Sequence, residues 1–525
     1  MSARVISFED AAKLIDDNAV VTVSSSSALN CPEKMLRTIG ERFDAEGHPQ
    51  NITTLHPIAA GDMYGVKGID NIAKKGLLKK IIGGSYPSGP STMESPKIWT
   101  MIIDNEVEAY NLPSGIIFDM HRDVAAKRPG VLTKIGLDTC VDPRRNGGKM
   151  NDAAKEDIVS VVEFGGEEWL HFKNIVPDVA IIRGTTADEN GNISMEHEGA
   201  PLGAIEQALA VRNNGGIIIA QVKRLTAAGS IAPQRVHVPS TLVDYVVVDP
   251  DQHQATGTQY DPAISGEIRK PMSDFPPVEW GTDKIIARRA AMELCDDDAV
   301  NLGFGISALV PRILIEEGLH GDVTWAIEQG AVGGVPLEGF VFGCAANAQA
   351  ITISPYQFTY FQGAGEDCGL LSFMEVDVDG NVNVSRLTAK PHVTAGIGGF
   401  IDITSRGRKL VFSGYFTAAG LRLRVEDGQM HIDQEGKFAK FVPEVEHVTF
   451  SGKRGIQQNQ DVLYVTERCV IKLMPEGLTV VEIAPGIDLQ TQVLDQAKIQ
   501  LRVADDLKTM DPRLFRPEPM GLTLG

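Results

Sequence analysis

Residues 299–334 read AVNLGFGISALVPRILIEEGLHGDVTWAIEQGAVGG, and they predict strand, glycine turn, helix, strand and a second glycine turn. Residues 299–302 are a short apolar run that fits a buried strand. Gly303 and Gly305 break it where the backbone must turn tightly. Pro311 sits early in the helical pattern that follows, and Gly318 closes it. Residues 323–327 form the next strand, which ends at Glu328. Gln329, Gly330, Gly333 and Gly334 come directly after. Open parallel sheets place their ligands at the C-terminal edges of strands. Glu328 stands at such an edge inside a glycine loop, which makes it the candidate catalytic group.

The same pattern occurs earlier in the chain. Residues 19–36, AVVTVSSSSALNCPEKML, align with residues 299–314, so that Ala19-Val20 falls on Ala299-Val300 and Ser27-Ala28-Leu29 on Ser307-Ala308-Leu309. A helix precedes each: residues 7–17 with Ser7 as cap and Asp10 three residues on, and residues 282–294 with Thr282 as cap. Two further echoes follow in order. Residues 188–193 resemble 378–382 as a turn leading into a strand, and residues 215–219 resemble 406–412. The later pairs are closer together in the chain, so the first half holds about 90 extra residues. The expected fold class is α/β: two similar open domains with mainly parallel sheets, arising by internal duplication. Residues 245–248 end the first domain (residues 1–248) as a buried strand. Residues 249–281, rich in Pro, Asp, Gly and Gln, read as a linker. The second domain runs over residues 282–525. After Gly420 it turns β-rich, with strands expected at 440–442, 447–450, 462–465, 470–473 and 478–483 and a short helix at 489–497.

The 525 residues are 43% hydrophobic, enough for two ordinary cores. A net charge of −20 argues against nucleic acid as a partner, because a phosphate backbone needs a basic footprint. No apolar run is long enough to span a bilayer, so no membrane partner is expected. The N-terminal MSARVISFEDAAKLI lacks the basic-then-apolar order of a signal peptide. The six cysteines form no CxxC pair, so neither a metal site nor a disulfide framework is expected, and a cytoplasmic setting fits.

Two chemistries compete at residues 303–328. Gly303-Phe304-Gly305-Ile306-Ser307-Ala308 fits GxGxxA after a strand, with Glu328 at the end of the next strand. That is the layout of a dinucleotide-binding unit and of an NAD-dependent dehydrogenase. Against it, the acid is embedded in far more glycine than a ribose contact needs. In the other reading Glu328 is a nucleophile that attacks an activated acyl group. Backbone amides of a glycine loop would stabilise both the ionised acid and the oxyanion formed on attack. Residues 136–151, with Arg144, Arg145 and Lys149, read as a solvated or a phosphate-facing loop. Residues 24–27, four serines, read as a helix cap.

A wider set of motifs then matters. These are Asn301-Leu302-Gly303-Phe304-Gly305-Ile306, Glu328-Gln329-Gly330 with Gly333-Gly334, Phe342-Gly343 through Asn347, and Ser372-Phe373-Met374-Glu375-Val376-Asp377 with Gly380-Asn381-Val382. Gly396-Ile397-Gly398-Gly399-Phe400-Ile401-Asp402 and, in the first half, Val141-Asp142-Pro143-Arg144 with Gly147-Gly148-Lys149 complete it. With these, the chain resembles family I CoA-transferases nearly end to end, most closely the propionate (short-chain acyl) CoA-transferases with both halves fused. The resemblance implies transfer of CoA between a short-chain acyl-CoA and a free carboxylic acid of propionate, acetate or lactate type. It implies a ping-pong reaction through an acyl-glutamyl anhydride and a glutamyl-CoA thioester on Glu328. It also implies CoA as co-substrate with no tightly bound cofactor, and a homo-oligomer, often a tetramer.

By the same analogy Gly303, Phe304, Gly305 and Ile306 approach the thioester. Asn347 and the Gly398-Gly399 turn are candidates for polarising the glutamyl carbonyl. Asn347 also reads as a turn amide satisfied by backbone, and Gly398-Gly399 as a tight strand turn. Lys390, with Arg386, Arg406, Arg408 and Lys409, is a candidate patch for the CoA phosphates or else a solvated charged face. Cys344 and Cys368 read as small packing residues. An acyl-CoA hydrolase using the same Glu328 stays open, because water exclusion depends on packing.

Overall fold

The computed structural model describes residues 3–525. The strand Ala299–Leu302 lies at the middle of the second sheet. It is parallel to Thr324–Ala326 on one side and to Cys368–Ser372 on the other. Val300 and Leu302 join Ile313, Leu314, Trp325 and Leu370 in one buried core. Asn301 is also buried, and its amide donates to Ala326 O at 3.0 Å. The helix Val310–Glu317 has Pro311 in its first turn, where no N–H is missed, and ends on Gly318 at φ 78°. Gly305 has φ 99°, and a Cβ there would come within 2.6 Å of Ser372 Oγ. The turn therefore needs glycine twice over.

Comparing strand order supports the duplication. The first sheet contains, in spatial order, Tyr245–Val248, Ile217–Val222, Val179–Arg183, Val20–Val23 and Ile52–His56, all parallel. The second contains Asp461–Val465, Lys409–Ser413, Cys368–Ser372, Ala299–Leu302 and Thr324–Ala326, also all parallel. The three echoes fall on matching strands and on matching hairpins. Such strands are covered on both faces, which is why they read as near-continuous apolar runs. The extra residues of the first half add the strands Leu78–Gly83 and Glu108–Asn111 and a separate three-stranded antiparallel sheet, residues 130–173. The second sheet grows at its other edge, through Cys469–Met474, Gly477–Ile483 and Arg502–Thr509.

Several local expectations need correction. Thr282 is the first residue of its helix rather than the cap, and Gly281 holds the cap position without a side-chain bond. Ser7 does cap the first helix, accepting from Asp10 N–H at 3.0 Å. The four serines cap nothing: the helix Glu33–Glu46 starts after Pro32. Residues 440–442 and 447–450 are not strands. Phe441 and Phe450 make only isolated bridges, to Val376 and Val382. The helix expected at 489–497 is one π turn, Gln490–Leu494. Residues 249–281 contain one short 3-10 turn, Met272–Asp274, but they are not loose: Ala255, Ala263 and Ile264 are buried. No helix is long and apolar enough to cross a membrane among the described residues.

Candidate active site

Glu328 stands on the tip of a tight hairpin. Ala326 pairs with Val332 across it, Ile327 N–H donates to Ala331 O, and Gly330 N–H donates to Ile327 O, both at 2.9 Å. Gly330 has φ 137°, and a Cβ there would lie 2.2 Å from Thr352 O, so the turn closes only with glycine. The helix Ser354–Gln362 braces the hairpin from behind. Ser354 Oγ donates to Gln329 O at 3.0 Å, and Gln357 Nε2 reaches Ile327 O at 3.1 Å. The nucleophile candidate is thus held by main-chain and side-chain bonds on both flanks.

The half-buried Glu328 points into the junction of the two halves. Gln329 Nε2 donates to Glu328 Oε1 at 3.0 Å and to Ser26 Oγ of the first half at 3.3 Å. Ser26 follows the strand Val20–Val23, the counterpart of Ala299–Leu302. The serine turn is therefore the first half's equivalent of the Gly303 turn. Burial pushes the Glu328 carboxyl up to about 7, and the Gln329 bond partly offsets this.

The Gly398-Gly399 turn meets the carboxylate. A Cβ on Gly399 would sit 2.2 Å from Glu328 Oε2 and 2.7 Å from Phe358. Gly398 is turned away: its N–H donates to Gly84 O at 2.7 Å, and its carbonyl accepts from Ser114 N–H at 2.9 Å. Asn111 Oδ1 accepts from Ile397 N–H at 2.8 Å, so the first half carries this turn.

Asn347 does not join them. Its amide accepts from Lys270 N–H and donates to Lys270 O, both at 2.8 Å, and so anchors the connecting segment. Gly303 packs on Leu371, and Ile306 opens the short turn Ile306–Leu309. Phe304 is 68% exposed and meets Phe342 edge-to-face at 5.4 Å. The loop carrying Phe342 touches the site, since a Cβ on Gly343 would lie 2.6 Å from Gln329. Three of the five basic residues are engaged separately. Arg408 pairs with Asp367, Lys409 with Glu293, and Arg386 donates to Met150 O, while Lys390 is exposed. Likewise Arg144 is held by Asp142 and Glu168, and Lys149 by Asp157. Cys344 and Cys368 are buried with thiols pushed up, Cys344 to about 12, as packing residues would be.

The sequence assigns no role to Gln362, Gly115 or Asp402, and it reads Ser26 only as part of a helix cap. Asp402 is fully buried. Its Oδ2 accepts from Gly115 N–H and its Oδ1 from Gln362 Nε2, both at 2.9 Å. Asp402 lies in the quoted Gly396–Asp402 motif, which was the only available signal. Nothing local marks the others.

A Coenzyme A transferase family profile matches residues 5–249. The chain belongs to that family, and it is of the family I type with both halves fused. It is 41% identical to the caffeate CoA-transferase of Acetobacterium woodii, over 99% of each chain. It is 37% identical to the acetate CoA-transferase YdiF of Escherichia coli K12, over 99% of this chain and 96% of that one. The crystal structure of the Escherichia coli O157:H7 YdiF acyl-CoA transferase, a thioester complex with CoA, superposes with a TM-score of 0.91 at 35% identity, covering 100% of this chain and 98% of that one. The protein is thus a CoA-transferase with CoA as co-substrate, acting on acyl-CoA and carboxylates. The dehydrogenase and hydrolase readings are left without support.

Proposed function

We propose that the protein exchanges CoA between a short-chain acyl-CoA and a free carboxylate through two covalent states of Glu328. The supporting observation is the Glu328 carboxylate on a rigid glycine turn at the sheet's C-terminal edge, against Gly399. The Glu328 carboxylate attacks the acyl carbonyl, the C–S bond breaks, and CoA leaves as thiolate beside an acyl-glutamyl anhydride. The thiolate attacks the glutamyl carbonyl, the anhydride C–O bond breaks, and the first acid leaves as carboxylate. An incoming carboxylate attacks the glutamyl-CoA thioester and regenerates thiolate and anhydride. Thiolate attack on the new acyl carbonyl releases the product acyl-CoA and restores Glu328. Gly399 borders the glutamyl oxygen, where a main-chain dipole stabilises the oxyanion formed in the two attacks on the glutamyl carbonyl.

The test is incubation with propionyl-CoA and no acceptor. Mass spectrometry should find CoA attached to the peptide containing Glu328. An adduct on Cys344 or Cys368, or none at all, would sink the mechanism.

The Phe304–Phe342 pair, with Phe304 exposed, favours a second reading of the acyl group: a planar aryl-propenoate of the kind named for the Acetobacterium relative. Parallel assays with propionate, acetate, lactate and caffeate as acceptors decide between them. Higher kcat/KM for caffeate selects the aryl reading.

A further inference from the structure

We propose that Ser26 is a further catalytic residue for this reaction: its hydroxyl donates to the oxyanion that forms on the acyl carbonyl when Glu328 Oε1 attacks. The inference rests on Glu328 being the nucleophile. Gly399 stands against Glu328 Oε2, whereas Gln329 Nε2 donates to Oε1 at 3.0 Å. An acyl group joined through Oε1 leaves Oε2 as the glutamyl carbonyl oxygen, beside Gly399. The acyl oxygen then needs a donor of its own, on the Gln329 side.

Ser26 of the first half stands on that side, since the same Gln329 nitrogen donates to Ser26 Oγ at 3.3 Å. The two N–H bonds of a planar amide diverge by about 120°, so these contacts set Ser26 Oγ and Glu328 Oε1 roughly 5–6 Å apart. In a tetrahedral centre the oxyanion lies about 2.3 Å from the attacking oxygen, and a hydrogen bond spans about 2.7–3.1 Å more. An acyl oxygen on Glu328 therefore has the length to bridge the two side chains.

Ser26 also has a donor to spare. It is buried, and among the described residues its hydroxyl accepts from Gln329 and donates to no group. A buried O–H without an acceptor is costly and rare in a folded chain. Accepting from Gln329 polarises the hydroxyl toward donation. The neighbouring serines differ. Ser25 Oγ donates to Ser27 O at 2.9 Å, Ser27 is exposed, and Ser24 Oγ makes no bond to the hairpin.

The hydroxyl is held in place before substrate arrives. Ser26 N–H donates to Leu29 O and Leu29 N–H to Ser26 O, both at 2.9 Å. Ser27 N–H donates to Ala59 O at 2.7 Å, and Gly61 N–H to Ser27 O at 2.8 Å. A donor fixed this way needs no rearrangement as charge develops. Each half of the chain then serves one carbonyl: the Gly399 main chain the glutamyl oxygen, and Ser26 the acyl oxygen.

The experiment separates the two carbonyls. Single-turnover formation of the Glu328–CoA adduct from propionyl-CoA requires attack on the acyl carbonyl. Cleavage of the finished adduct by hydroxylamine requires attack on the glutamyl carbonyl alone. Ser26→Ala should slow adduct formation about 100-fold. Hydroxylamine should cleave the variant's adduct within about twofold of the wild-type rate. Equal slowing of both steps means that Ser26 acts only by holding Gln329 and Glu328, and it overturns the inference. Adduct formation at the wild-type rate overturns it as well. If Ser26→Ala fails to fold, Ser26→Cys keeps the side chain's shape with a weaker donor, and the same split should appear at about tenfold. A wild-type rate or an equal slowing overturns the inference there too. The nucleophile assignment is read separately, in wild type, where the absence of CoA on Glu328 refutes the mechanism beneath the inference.

Discussion

Gly399 lies so close to Glu328 that one added methyl group would come within 2.2 Å of the carboxylate oxygen Oε2. The Gly399 backbone itself is ordinary, at φ −87° and ψ −1°, and would accept alanine. The conflict is with the Glu328 and Phe358 side chains alone.

Gly399→Ala should therefore fold and fail catalytically. Displacing the nucleophile by about 1 Å costs on the order of 100-fold in rate. We expect kcat to fall at least that far while circular dichroism stays unchanged. Near-normal turnover would show that the carboxylate moves away from Gly399 during the reaction.

In the proposed mechanism the ionised form of Glu328 attacks, and burial pushes its carboxyl up to about 7. The rate of adduct formation should rise with pH and level off above about 7. Gln329→Ala removes the bond that favours the ionised form. Its rising limb should shift to higher pH, with a severalfold slower rate at pH 7 and little change at pH 9. Glu328→Gln should form no adduct at any pH. Stopped-flow release of CoA checks all three, and a Gln329→Ala limb shifted to lower pH would contradict the electrostatics.

Phe304 is 68% exposed, an uncommon position for a large aromatic beside a site. Covering such a ring with substrate stabilises a complex by about 1–2 kcal/mol, roughly tenfold in affinity. Phe304→Ala should raise KM for acyl-CoA about tenfold and leave kcat within about twofold. An unchanged KM would mean the ring stays in solvent when acyl-CoA binds.

How much of this was legible depended on whether the signal was local. The hairpin that carries Glu328 was legible because strand, turn and glycines are consecutive, and the parallel sheet followed from the same stretch. The duplication was visible because Ala19-Val20 and Ala299-Val300 occupy matching central strands. Asn347 left two readings open because an Asn in a turn looks alike in sequence whether it faces a substrate or, as here, bonds the Lys270 main chain. The basic cluster reads as one patch in the sequence, yet Arg386, Arg408 and Lys409 take separate acidic partners. Ser26, Gly115 and Asp402 meet only after both sheets have formed, and no spacing rule reaches across some 300 residues.

One last prediction concerns stability. Glu366 is fully buried, and neither carboxyl oxygen has a hydrogen-bond partner. Burial pushes it up to about 8, with neighbouring Asp367 adding to the effect. Below the unfolded carboxyl value near 4.3 it is protonated in both states and has no effect. As pH rises from there to about 8, the unfolded chain releases the proton while the folded chain retains it, so stability is lost. Above that the penalty is constant. Glu366→Gln stays neutral at every pH and removes the penalty. The variant should exceed wild type by about 1 kcal/mol at pH 5 and by roughly 4–5 kcal/mol at pH 8, seen as a Tm difference that widens with pH. Thermal unfolding at half-unit steps from pH 5 to 9 measures this. Parallel Tm curves would mean that water or a rearranged partner already reaches the Glu366 carboxylate, and the shift assigned to its burial would be wrong.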